Sequence, residues 1–203
     1  MNDTFKALVA RKDDEFSVDY ENLTLDDLGD GNVTVQVEYS TLNFKDGLAM
    51  SNAAPVVQRY PLVLGIDFAG TVLESGHSRF SAGDKVILNG YGASEYLNGG
   101  YSERARIDGD LLVPLPPSLD TRQAMAIGTA GYTAMLSVLS LEEGGVTPDG
   151  GEVLVTGAAG GVGTVALTLL SRLGYQVVAS TGRPSEADFL KGLGATDIID
   201  RNS

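Results

Sequence analysis

Three glycines, spaced Gly157-x-x-Gly160-x-x-Gly163, are of the type and spacing that can hold a phosphate group. Gly157 permits a tight turn, Gly160 lets the main chain approach an anion with no Cβ in the way, and Gly163 lets a helix pack close to a strand. Free N–H groups at the start of the following helix would supply the charge complement. The spacing departs from the strict G-x-G-x-x-G, and glycine turns without ligands are common, so the flanking sequence decides. Val153, Leu154 and Val155 read as a strand covered on both faces, and Val162, Ala166, Leu169, Leu170 and Leu173 recur at helical spacing. Strand, glycine turn and helix together point to a dinucleotide pyrophosphate.

The choice of dinucleotide falls to the end of the next strand, residues 176–180, which follows Gly174 as a helix stop. A site for NAD would place Asp or Glu here for the ribose 2'-hydroxyl, whereas the chain reads Ser180-Thr181-Gly182-Arg183. Hydroxyls and a planar guanidinium suit a 2'-phosphate, which favours NADPH over NADH. Arg201, just past a third strand at 197–200, is a second candidate for that phosphate. The alternatives are that Arg183 is a solvated loop residue ahead of Pro184, itself at the first position of a helix, and that Arg201 is a surface charge.

These residues need a frame, and the pattern predicts an α/β chain in two parts. Strand-like runs at 5–10, 33–39, 70–74, 84–88 and 102–107 predict an antiparallel β domain, with Val33, Val35, Val37 and Tyr39 in strict alternation. Leu111-Leu-Val-Pro-Leu-Pro-Pro117 ends it, and Ser118 or Asp120 can cap a helix, so the boundary is placed near residue 120. Helical periodicity runs from Thr121 to Leu141 and is interrupted at Gly128 and Gly131, which predicts a break. The nucleotide part, residues 121–203, has three strands where a complete doubly wound sheet has about six. A fragment of a longer protein is therefore expected, with strands from another chain as the alternative.

Composition narrows the function classes. Net charge is −13, from 14 Lys and Arg against 27 Asp and Glu, which argues against nonspecific attraction to nucleic acid or anionic lipid. An anionic substrate would then need a local basic lining. No apolar stretch reads as membrane-spanning and Met-Asn-Asp-Thr-Phe-Lys lacks a leader pattern, so a cytoplasmic protein is expected. The chain has no cysteine and one histidine, His77, in a turn read as solvated, so neither disulfides nor a zinc site is expected.

Four motifs occur in order along the chain: Leu42-Asn43-Phe44-Lys45-Asp46-Gly47-Leu48-Ala49, Gly65-Ile66-Asp67-Phe68-Ala69-Gly70, Gly128-Thr129-Ala130-Gly131-Tyr132-Thr133-Ala134, and the glycine turn. The set resembles the zinc-independent medium-chain dehydrogenase/reductases, in particular the acryloyl-CoA reductase and YhdH-type quinone oxidoreductase group. The resemblance implies a GroES-like substrate domain at 1–120 followed by the first half of an NADPH-binding Rossmann domain at 121–203, with the active site in the cleft between them. It implies Asn43 and Ile66 where zinc-dependent relatives carry metal ligands. It places Phe44 beside the nicotinamide, Thr129 among the cofactor contacts, Ala159, Gly160, Gly161 and Val162 around the pyrophosphate, and Ser180, Thr181, Gly182, Arg183 and Arg201 around the 2'-phosphate ribose.

The activity implied is NADPH-dependent reduction of the activated C=C bond of a short enoyl-CoA such as acryloyl-CoA. The alternatives are quinone reduction and cofactor binding without turnover. Asn43 and Lys45 are the candidates for stabilising negative charge that develops on oxygen. For Asn43 the alternative is a turn residue bonding its own backbone. Asp46 and Asp67 are expected to orient loops. The small-molecule substrate is the expected partner, and a homodimer is compatible with similar enzymes.

Overall fold

The computed structural model describes residues 4–203. Met1, Asn2 and Asp3, part of the stretch read for a leader, lie outside it. The chain divides into two compact units, one ending at Thr129 and the other Ala130–Ser203.

The first unit carries β1 (Phe5–Lys12), β2 (Phe16–Leu23), β3 (Val33–Tyr39), α1 (Phe44–Ser51), β4 (Leu62–Val63), β5 (Asp67–Ser75), β6 (Lys85–Asn89), β7 (Arg104–Ile107) and β8 (Val113–Pro114). Its strands pair antiparallel in two sheets, ordered β2-β1-β4 and β7-β3-β5-β6-β8. Val33, Val35, Phe68, Val72, Val86 and Leu88 form the core of the larger sheet. Burial of such side chains stabilises by roughly 1.5–3 kcal/mol each.

The alternation predicted for β3 buries Val33 and Val35 but leaves Tyr39 45% exposed. Register shifts against β5 at Thr34/Val35 and at Val37/Tyr39 are the cause. An extra residue in the ladder turns the strand end out of the sheet, which frees Ser40 and Thr41 to enter the site described below.

Thr121–Glu143 (α2) contains the break anticipated from its glycines, at Gly128, where φ is 54° and ψ −166°. An L-residue avoids that backbone, and glycine tolerates it. The division between units falls inside this helix. By length and composition α2 passes as a membrane span, contrary to the expectation that none exists. The break limits it: the part after Gly128 extends about 22 Å at 1.5 Å per residue, short of a ~30 Å hydrocarbon core.

The second unit continues with β9 (Glu152–Thr156), α3 (Gly161–Arg172), β10 (Gln176–Thr181), α4 (Ala187–Gly192) and β11 (Asp197–Asp200). Its strands are parallel, ordered β11-β10-β9, so β9 and β11 are edges. Parallel neighbours require crossovers, and α3 and α4 supply them. The stripe that α3 buries is Gly163, Ala166, Leu167 and Leu170. Val162 and Leu173, counted above in the apolar helical repeat, are 41% and 45% exposed. Gly163 lies in the packed stripe because a Cβ there would meet the Gly157 carbonyl and Ala158.

Candidate functional site

The second unit builds a glycine turn, a candidate phosphate cradle, where β9 ends. Gly157 sits at φ 59°, and the turn closes with the Gly160 N–H donating to the Gly157 carbonyl at 2.8 Å. Ala158 N–H donates to the Ser180 carbonyl at 3.1 Å, anchoring the turn to β10. A Cβ on Gly163 would stand 2.4 Å from the Gly157 oxygen and 2.7 Å from the Ala158 Cα. That distance is too short for any side chain, so α3 begins directly behind the turn. Its first N–H groups have no intrahelical acceptors, and Gly160, Gly161 and Val162 are exposed. The residues present therefore fit a pyrophosphate held by main-chain donors.

Beside the cradle lie the ends of β10 and β11. Ser180 and Thr181 are buried, and the Thr181 hydroxyl accepts the Arg183 N–H at 3.0 Å, so that hydroxyl shapes the turn. Arg183 Nη2 donates to the Ala159 carbonyl, reaching back to the glycine turn. The Arg201 N–H donates to the Thr181 carbonyl at 2.9 Å, and the Arg201 guanidinium lies across Gly182. Pro184 opens a short 3-10 turn that leads into α4, as its position before a helix suggested. The sequence showed these arginines, but not the Ala159 contact, which depends on folding.

In the first unit, Asp67 is fully buried and collects donors from three residues in two segments. It accepts from Thr41 N at 3.1 Å, from Thr41 Oγ1 at 2.7 Å, from Asn43 Nδ2 at 3.3 Å and from Thr129 N at 3.0 Å. Asp46, also buried, accepts from Asn43 N at 2.8 Å and Ile66 N at 3.0 Å. Burial pushes the Asp46 carboxyl up, opposed by its hydrogen bonds with Asn43 and Ile66. Tyr101, unremarked in the sequence, donates from its hydroxyl to the Thr41 carbonyl at 2.8 Å, and burial raises its phenol well above the ordinary value. Asp46 and Asp67 thus orient loops, as expected from the sequence.

Asn43 is the cap of α1, a helix not anticipated from the sequence. Its Nδ2 also donates to Thr41 Oγ1 at 2.8 Å and Asp46 Oδ2 at 3.2 Å. The carboxamide nitrogen is therefore turned toward side-chain acceptors, not toward its own backbone as the turn alternative had it, and this donor is committed within the protein. Lys45 Nζ is 2.7 Å from Glu95 Oε1, an ion pair with the lysine side chain 48% exposed. Phe44, between them, is 84% exposed. Exposed pairs contribute about 0–1 kcal/mol, so Lys45→Met is expected to leave the melting temperature nearly unchanged. A shift of more than about 4 °C in a calorimetric scan would contradict that.

His77 is not the solvated residue anticipated. Its side chain is 12% exposed, the ring lies 5.8 Å from that of Phe80, and Nε2 is 3.2 Å from Asp110 Oδ1. With Asp108 and Asp110 it makes a cluster of donor atoms, but Arg79 already stands 3.6 Å from Asp110 and supplies a cation there.

Residues 29–117 match the alcohol dehydrogenase GroES-like domain. Over 201 residues the chain is 56% identical to the acrylyl-CoA reductase AcuI of Ruegeria pomeroyi, covering 98% of this chain and 61% of that protein. The YhdH oxidoreductase of Salmonella enterica, solved in complex with NADP, superimposes with a TM-score of 0.94 at 48% identity, over 97% of this chain and 61% of that one. The YhfP protein of Bacillus subtilis, solved with NAD bound, gives 0.91 at 48% identity, over 97% and 60%. The chain spans about three-fifths of the length of these relatives.

Proposed function

Because this chain belongs to the medium-chain dehydrogenase/reductase family, we propose that the protein carrying it is an NADPH-dependent reductase of activated C=C bonds in short enoyl-CoA thioesters. The observation that carries the reading is the pairing of the Gly157–Gly163 cradle with two guanidinium groups, Arg183 and Arg201, neither of which is matched to a carboxylate among the described residues. In a chain of net charge −13 a cation without an anionic neighbour favours an anionic ligand.

When bound, NADPH supplies the hydride for the alkene β-carbon. The main-chain amides opening α3 would hold its pyrophosphate, and Arg183 and Arg201 would meet the 2'-phosphate. The buried Asp67 fixes Thr41, Asn43 and Thr129 in one arrangement, which keeps Phe44 exposed at the start of α1. Asn43 and Lys45 are proposed for the reaction centre, with Asn43 holding the turn and Lys45 contributing positive charge near a thioester oxygen.

A second reading, reduction of quinones, has support from the 49% identity over 202 residues to a relative named as a putative quinone oxidoreductase. A comparison of kcat/KM for acryloyl-CoA and for a benzoquinone separates the two.

Calorimetric titration of the full protein with NADPH and NADH tests the cofactor. NADPH is expected to bind tighter, and Arg183→Ala to reduce that preference by roughly tenfold or more, since charge-assisted hydrogen bonds contribute about 1.5–3 kcal/mol. Equal affinities in the parent protein, or a preference unchanged in both Arg183→Ala and Arg201→Ala, would refute the assignment.

A further inference from the structure

We infer that Gly182 and Asn202 are positioning residues for 2'-phosphate recognition: Gly182 gives the Arg201 guanidinium its seat, and Asn202 keeps the neighbouring Asp200 carboxylate from capturing it. The inference rests on the NADPH reading above.

A Cβ built on Gly182 would stand 2.6 Å from Arg201 Nη2, 3.0 Å from Cζ and 3.2 Å from Nε. All three are guanidinium atoms, so the side chain crosses the Gly182 backbone. The obstructed group is the end of a flexible side chain, not main chain. An alanine here displaces the arginine at little cost to folding, so its effect falls on the ligand.

Asp200 is one residue away in a strongly acidic chain, and a guanidinium beside a carboxylate ordinarily forms a forked pair. Here Asp200 Oδ1 instead accepts from Asn202 N at 2.9 Å and from Asn202 Nδ2 at 3.2 Å. The same Nδ2 lies 3.4 Å from the Gly182 carbonyl, tying the end of β11 to the β10 loop. The Arg201 guanidinium is left without a hydrogen bond or ion pair among the described residues. Its main chain is fixed by the bond to Thr181, so what remains free is the charged group alone. A cation that is seated, anchored and unpaired beside a phosphate cradle suits a dianion.

The test is calorimetric titration of the full protein with NADPH, NADH, 2',5'-ADP and 5'-AMP. In Gly182→Ala and in Arg201→Ala, affinity for NADPH and 2',5'-ADP is expected to fall by roughly tenfold to a hundredfold, with NADH and 5'-AMP within about threefold of the parent. The double variant should bind no more weakly than Arg201→Ala alone, because both remove one interaction. Asn202→Ala should weaken the same two ligands, and adding Asp200→Asn should restore them.

If Arg201→Ala weakens NADPH while Gly182→Ala does not, the role of Gly182 is overturned and the cofactor reading stands. Equal loss of NADH and NADPH in Gly182→Ala also overturns it, since loop distortion would then be the cause. Failure of Asp200→Asn to rescue Asn202→Ala removes the role of Asn202. If neither Arg183→Ala nor Arg201→Ala alters NADPH affinity, the cofactor reading itself falls.

Discussion

Gly163→Ala is expected to destabilise the second unit by about 1–3 kcal/mol and to weaken nicotinamide nucleotide binding by at least roughly tenfold. The two effects have one origin. The added methyl would meet the Gly157 carbonyl oxygen and the Ala158 Cα, both main-chain atoms that cannot rotate aside. Either α3 moves away from β9 or the turn does, and each movement displaces the main-chain donors proposed to hold phosphate. Alanine is the better helix former by about 0.8–1 kcal/mol, so the measured loss understates the steric penalty. Gly192→Ala is the control, because nothing lies within 4 Å of a Cβ there. That change should stabilise by about 0.4–1 kcal/mol through the unfolded chain. If Gly163→Ala melts at or above the parent temperature and binds NADPH unchanged, the cradle is not where the cofactor sits.

Much of this is legible in the amino-acid sequence. The cradle was readable because each part is local: an apolar strand, three glycines and a helical stripe lie within some twenty residues of chain. The parallel pairing of β9, β10 and β11 follows from the same alternation of strand and helix. Besides the two-residue strands β4 and β8, too short to show an alternation, two longer elements escaped notice for physical reasons. In β2, Asp19 and Glu21 interrupt the residues that favour strands, and Tyr20 is 81% exposed, so the hydrophobic signal is weak even though β1 pairs with it along its whole length. In α1, eight residues with Gly47 inside are too few to show a helical period, and its cap forms through Asp46. The reaction-centre candidates were identified by type alone. Whether Lys45 meets Glu95, or the Asn43 amide meets Asp67, depends on contacts 50 and 24 residues apart, which no local pattern carries.

The largest effect expected in the first unit belongs to Asp67→Asn, a change of nearly equal volume that should cost about 2–4 kcal/mol, with Asp67→Ala costing more. Asparagine presents an NH2 where the carboxylate presented oxygen. Thr41 N and Thr129 N are both donors aimed at this side chain, from opposite oxygens, and one of them must then face another donor. The Thr41 hydroxyl can rotate to accept, but a main-chain N–H cannot. Global electrostatics acts in the other sense: removing one negative charge from a chain of net −13 relieves repulsion. A measured loss therefore isolates the hydrogen-bond geometry. Because Thr129 N is exposed to Asp67 by the break at Gly128, the change should loosen that break as well, visible as faster amide exchange at Thr129 and Thr41. Stability can be followed by urea unfolding with tyrosine fluorescence, since the chain has eight tyrosines and no tryptophan. A midpoint within the equivalent of 1 kcal/mol of the parent, at unchanged m, would show that Asp67 does not hold Thr41, Asn43 and Thr129 together, and the arrangement proposed around Phe44 would lose its support.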